Sequence, residues 1–61
     1  MKRVLVVDDQ AYVREILTEL LSNEPGLVVA GTGCDGKEAI ALTDQLRPDV
    51  VVLDLSLSFN P

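Results

Sequence analysis

Asp8 and Asp9 stand side by side where a run of four apolar residues, Val4-Leu5-Val6-Val7, stops. A third acid, Asp54, closes a second apolar run in "DVVVLD". Taken singly, each has an ordinary reading: Asp9 would cap a following helix, and Asp54 would be a strand-end acid in solvent. Two adjacent carboxylates, however, repel each other and need a proton or a cation between them. If all three acids met in one pocket, each would raise the others' pKa until a cation entered, and a donor set made only of oxygen selects a hard ion. Mg²⁺ suits such a set, because it takes one or two carboxylates, keeps several waters and leaves room for a phosphate oxygen. A carboxylate beside that ion can attack phosphorus and form an aspartyl phosphate. Asp54 is the candidate nucleophile, since it stands alone at its strand end while Asp8 and Asp9 share theirs.

A second motif points to different chemistry. Gly31-Thr32-Gly33-Cys34-Asp35-Gly36 matches G-x-G-x-x-G, and Asp54 follows near the spacing of a ribose-binding acid, so Gly31, Gly33 and Gly36 are candidates for a dinucleotide-binding β-α-β unit. Three features weigh against it. Asp35 would set negative charge beside the pyrophosphate, Asp8-Asp9 would have no purpose, and a complete β-α unit precedes a motif that belongs to the first β-α turn. A turn made by Asp35-Gly36 before a helix accounts for the same residues.

Whether the acids meet depends on the elements that carry them. Arg3 to Asp8 is continuously apolar at its centre and rich in valine, the pattern of a strand covered on both faces. From Ala11 to Asn23, Val13, Ile16, Leu17, Leu20 and Leu21 recur at helical spacing, with Arg14, Glu15, Thr18 and Glu19 on the other side, and Pro25-Gly26 ends the segment. Leu27 to Ala30 reads as a second strand and Gly31 to Gly36 as a glycine-rich connection. Lys37 to Leu46 reads as a helix with Ala39, Ile40, Thr43 and Leu46 inward, stopped by Arg47-Pro48. Asp49 to Leu55 is a third strand.

The resulting β-α-β-α-β order implies an α/β fold with a parallel sheet. Right-handed crossovers on opposite faces give strand order 2-1-3 with one helix on each face. Parallel strands end together about 4.8 Å apart, so this order brings Asp8 and Asp9 beside Asp54. The gap between strands 1 and 3 is also the topological switch point, where open α/β sheets bind ligands.

Composition narrows the partners. The chain has 61 residues, 48 % hydrophobic and 25 % charged, enough for one small domain. A net charge of −5 argues against direct binding of nucleic acid or an anionic membrane surface. The single Cys34 excludes an intrachain disulfide and fits a reducing, cytoplasmic compartment, with a small buried thiol as its simplest role. The apolar run after Met1-Lys2-Arg3 is too short for a signal peptide, and no segment is long enough to span a membrane.

"VLVVDDQ", "DGKEAIAL" and "RPDVVVLDL", in this order and spacing, resemble the first half of a response-regulator receiver domain from two-component signalling, a flavodoxin-like (CheY-like) fold. The likeness runs from about Lys2 to Leu57, and its most specific element is the acid pair at the end of strand 1 joined to the aspartate at the end of strand 3. It implies a phosphoacceptor module rather than an enzyme, with Asp54 as phosphoacceptor and Mg²⁺ as cofactor. It further implies Asp9 as a direct metal ligand, Asp8 as a ligand through water, and the Ser56 backbone carbonyl as a third metal contact. The implied partner is a sensor histidine kinase or a phosphotransfer protein.

The same resemblance exposes departures. A receiver has five strands in order 2-1-3-4-5, whereas residues 1–61 supply three, so the chain reads as a partial receiver domain with no output domain. The hydroxyl residue and lysine that the family carries on strands 4 and 5 have no equivalents, which implies impaired phosphoryl transfer and leaves a structural, self-associating fragment as the alternative. Strand 3 becomes an edge, and an apolar edge recruits a partner. A homodimer through antiparallel pairing of two strand 3 edges is therefore expected.

Overall fold

The computed structural model describes residues 1–54. Five elements follow in the expected order: β1 (Lys2–Val7), α1 (Ala11–Ser22), β2 (Leu27–Gly33), α2 (Gly36–Leu46) and β3 (Val50–Leu53). The three strands form one parallel sheet in the order β2-β1-β3.

β1 is central because its sequence tolerates no water on either side. Val4, Leu5, Val6 and Val7 are all at most 2 % exposed. Leu5 and Val7 pack on one face against Ala39, Leu42 and Leu46 of α2. The face of Val4 and Val6 is covered by α1, which lies against β1 and β2. Opposite β1, β2 makes a one-residue bulge: Val4 pairs with Val29 but Leu5 pairs with Gly31, and Ala30 is skipped.

Local signals fix the helix ends. α1 stops at Ser22, and Glu24-Pro25-Gly26-Leu27 then turns the chain, with Gly26 at φ 86° and the Leu27 N–H donating to the Glu24 carbonyl at 3.3 Å. Proline followed by a positive-φ glycine is the pattern of a type II turn. α2 begins at Asp35, whose carboxylate accepts from the Glu38 N–H at 2.8 Å, while Glu38 Oε1 accepts from the Cys34 N–H at 2.8 Å. The first bond satisfies an N–H group that the helix start leaves without a partner, and the second ties the residue before the cap to the first turn. The other end is closed by Arg47 in the left-handed region at φ 51° and by the Arg3 guanidinium, which donates to the carbonyls of Leu46 and Arg47. A cation on the last carbonyls also complements the helix dipole. Arg3 ties β3 in as well, since its N–H donates to Asp49 Oδ2 at 2.7 Å and its carbonyl accepts from the Asp49 N–H at 2.8 Å.

Three expectations need correction. First, Gly31 to Gly33 is strand, not loop, and the two glycines serve packing. A Cβ on Gly31 would lie 2.6 Å from Leu46 Cδ1, and one on Gly33 would lie 3.1 Å from Leu42 Cδ1. With Gly31 and Gly33 paired to β1, and with Asp35 and Glu38 already on the α2 N-terminus, the G-x-G-x-x-G run lacks the open cradle of N–H groups that a pyrophosphate needs. Second, on α1 the half-buried residues include Val13, Arg14, Leu17, Thr18 and Leu21, whereas Ile16 and Leu20 are 52 % and 60 % exposed. Third, α2 turns Ala39, Leu42 and Leu46 inward and leaves Ile40 75 % exposed with Thr43. Both helices sit over β1 and β2, so apolar residues facing past those strands find nothing to cover them.

Ile40 and Thr43 instead line an open groove of about 590 Å³ with Ala39, Val51 and Leu53. Among the described residues β3 lies at one edge of the sheet, and Val50, Val51 and Leu53 are 46 %, 40 % and 38 % exposed. Among the described residues, no helix is long and apolar enough to cross a membrane.

Candidate acidic site

The register of the sheet decides where the acids fall. Val7 pairs with Leu53, so the next residues, Asp8 and Asp54, leave the sheet level with each other, and the Asp54 N–H donates to the Val7 carbonyl at 3.2 Å. On the other side, the Asp8 N–H donates to the Gly33 carbonyl at 3.1 Å. The three carboxylates of Asp8, Asp9 and Asp54 each offer an oxygen, and these oxygens lie within 4.8 Å of one another. Asp8 is buried at 1 % exposure, Asp54 is half-buried and Asp9 is exposed. The cluster therefore opens from a dry floor to solvent, in the crevice at the strand switch point.

Asp8 feels opposing influences. The Gln10 N–H, donating to Asp8 Oδ1 at 2.9 Å, favours the charged carboxylate. Burial, a hydrogen bond shared with Asp54 and the charges of Asp54 and Asp9 together outweigh it, and the Asp8 pKa is raised above its ordinary 3.8. A hydrogen bond between two carboxyls requires a proton on one of them. A cation among the three acids would offset the same repulsion.

The donor set fits Mg²⁺. All three donors are hard oxygens, and oxygens on one octahedral ion are about 3 Å apart when adjacent and about 4.2 Å when opposite. A spread of up to 4.8 Å accommodates such an ion with slight closure or with one acid bound through water.

The N-terminus of α1 abuts this cluster. Gln10 takes the N-cap position with extended backbone and no side-chain cap, so Asp9 is left out of helix capping. Arg14, expected on the solvated face, instead reaches back with Nη1 to donate to the Asp8 carbonyl at 2.8 Å. Gln10, Arg14 and Gly33 are the site residues that sequence reasoning missed. Gln10 had a signal, because an aspartate accepting from the N–H two residues on is a common turn. Arg14 had none, since its role depends on how α1 docks on the sheet. Ser56, expected to offer a carbonyl to the metal, lies outside the described residues, as does the Leu55 end of the third strand.

A second group, Cys34, Asp35 and Glu38, also brings its donor atoms within 4.8 Å. Its carboxylates are engaged in starting α2. A hydrogen bond with Glu38, burial and the nearby acids push the Cys34 thiol up, which makes it a poor thiolate.

Residues 4–59 match the family model of the response regulator receiver domain. A protein-glutamate methylesterase/protein-glutamine glutaminase of Symbiobacterium thermophilum is 51 % identical over 55 residues, covering 90 % of this chain and 15 % of that protein. A second protein of that name, number 6 of Anaeromyxobacter dehalogenans, is 56 % identical over 55 residues, covering 90 % of this chain and 16 % of its own length. The chain therefore spans only a small part of the curated relatives it matches. Among solved structures, the response regulator domain of Thermotoga maritima CheB superposes with a TM-score of 0.90 at 37 % identity, over 97 % of this chain and 44 % of that one. The flavodoxin-like sheet order is thus shared in space as well as in sequence, and with the family match running over almost its whole length the chain belongs to the response regulator receiver domains of two-component systems.

Proposed function

We propose that this chain is the phosphoacceptor portion of a CheB-like response regulator, modified on Asp54 in a Mg²⁺-dependent reaction. The observation that carries the reading is the convergence of Asp8, Asp9 and Asp54 within 4.8 Å at one rim of the sheet. Asp54 attacks the phosphorus of a phosphohistidine on a sensor kinase or phosphotransfer protein. The Asp54 O–P bond forms as the donor N–P bond breaks, the electron pair leaves on the imidazole nitrogen, and that nitrogen takes a proton from solvent. Asp8, Asp9 and Asp54 would hold Mg²⁺, which would supply positive charge to offset the phosphoryl oxygens and the acids together. Asp8 and Asp9 keep that charge balance, and the buried floor limits water around Asp54.

The chain itself is a regulatory module in this reading and not an enzyme; the esterase and glutaminase activities belong to the relatives that bear those names. A kinase partner implies the cytoplasmic side of the membrane. The test is incubation with acetyl phosphate or a phosphorylated kinase, with and without Mg²⁺, followed by intact mass. An adduct of one phosphoryl group that needs Mg²⁺ supports the reading, and no adduct under any condition defeats it.

Metal and protons should compete at the site. Because the folded pKa of Asp8 is raised, its contribution favours folding below the ordinary carboxylate pKa and is lost as pH rises through the folded value. The metal-free chain is therefore expected to melt lower at neutral than at mildly acidic pH on this account. Mg²⁺ should raise the Tm at neutral pH and do so progressively less as pH falls. Thermal scans over a pH series, with Mg²⁺ and with EDTA, test this; a Mg²⁺ effect that does not change with pH would contradict it.

Self-association is the second reading, favoured by the half-exposed apolar edge at Val50, Val51 and Leu53. A second copy pairing antiparallel along β3 would cover that edge. Sedimentation equilibrium of the 61-residue chain should give a dimer at high micromolar concentration, and a compact monomer there would rule the pairing out.

A further inference from the structure

We propose that Arg14 is a positioning residue of the acidic site, fixing the peptide between Asp8 and Asp9 and so the direction of the Asp9 carboxylate. This rests on the reading of the three acids as a cation seat. Asp8 is held at every polar group: its N–H by the Gly33 carbonyl at 3.1 Å, its Oδ1 by the Gln10 N–H at 2.9 Å and its carbonyl by Arg14 Nη1 at 2.8 Å. The first two partners are backbone atoms that come with the fold. Arg14 is the side-chain partner, and the carbonyl it binds belongs to the peptide that carries Asp9. Asp9 is exposed, and side-chain packing does little to orient it. If that peptide rotated, Asp9 would swing away from Asp8 and Asp54.

A guanidinium bound to a carbonyl makes a strong, directional hydrogen bond. Arg14 is also half-buried, with its N–H donating to the Gln10 carbonyl at 3.0 Å in the first turn of α1, which limits the freedom of its base. Its charge acts the other way, because a cation near the pocket repels a second one. The two effects predict opposite outcomes when Arg14 is removed. Loss of repulsion alone would tighten Mg²⁺ binding, while loss of positioning weakens it. We expect positioning to prevail, since partners that orient metal ligands are worth about 10–100-fold in affinity.

The test is a Mg²⁺ titration of the full chain followed by amide NMR, for the wild type, Arg14→Met and Arg14→Lys. Methionine keeps the apolar stem and removes the donor, and lysine restores a donor. Arg14→Met should bind Mg²⁺ about 10-fold or more weakly, and Arg14→Lys should recover most of the loss. In the metal-free state, the Asp9 and Gln10 amide resonances should move in Arg14→Met, while those of α2 stay in place and report that the fold persists. If Arg14→Met unfolds, Arg14→Gln, which retains a neutral donor, takes its place and should bind Mg²⁺ no more weakly than Arg14→Lys. Binding by Arg14→Met equal to or tighter than wild type, or Arg14→Gln binding more weakly than Arg14→Lys, overturns the proposal. Absence of Mg²⁺ binding by the wild type overturns the underlying reading of the site instead.

Discussion

Asp54→Ala is expected to eliminate the phosphoryl adduct entirely, the largest functional effect of any single substitution in the chain. Asp54 is the acid at the end of β3, half-buried beside a fully buried Asp8 and an exposed Asp9. A nucleophile must be reachable, and Asp8 at 1 % exposure is not. Asp9 is reachable, but its place beside Asp8 suits it to holding the cation. Asp54→Ala should thus show no mass increase after exposure to acetyl phosphate and Mg²⁺, whereas Asp9→Asn should retain a slow, metal-insensitive trace. Hydroxylamine, which cleaves acyl phosphates and spares phosphate esters, provides an independent check on the wild-type adduct. A hydroxylamine-sensitive adduct of undiminished size on Asp54→Ala would move the nucleophile to Asp8 or Asp9.

Leu5→Ala is expected to unfold most of the population at room temperature. Leu5 is 0 % exposed and sits under Ala39, Leu42 and Leu46, so truncation removes the larger of the two side chains, with Val7, that β1 contributes to the α2 interface. Buried Leu→Ala changes cost about 2–5 kcal/mol. A domain of this size rarely has more than about 3–5 kcal/mol in total. The control is Ile40→Ala, since Ile40 is 75 % exposed and a surface change of this kind stays within about 0.5 kcal/mol. Urea denaturation followed by far-UV circular dichroism separates them. Equal midpoints for Leu5→Ala and wild type would show that the β1–α2 contact is not what holds the chain together.

The strand order and the meeting of the acids could be read from the sequence because they depend on few choices. A strand as apolar as Val4–Val7 has to be central, and right-handed crossovers then leave one place for the third strand. The helix faces were less legible, and for one reason. Periodicity identifies which residues share a side, but which side is buried depends on what the sheet extends beneath it. Hydrophobicity places Ile16, Leu20 and Ile40 inward, yet they face past the two strands that carry the helices. Polarity places Arg14 and Thr18 outward, but they turn toward the sheet, where Arg14 finds a carbonyl and the Thr18 hydroxyl is buried without a hydrogen-bond partner among the described residues. The glycines misled in the same way. Gly31 to Gly33, which read as connection, are strand whose missing side chains make space for Leu42 and Leu46.

The skipped residue in β2 governs that space. Side chains on neighbouring parallel strands keep step, so a residue opposite Leu5 or Val7 points to the same layer as α2. With uninterrupted pairing, Ala30 and Thr32 would occupy those two rungs. The extra residue advances the sequence by one half-period and brings Gly31 and Gly33 there instead. The bulge thus works as a phase adjuster between a valine-rich beginning and a glycine-bearing end of one strand. Pairing the same residues without the skip would leave composition and hydrophobicity untouched while driving Thr32 into the seat of Leu42.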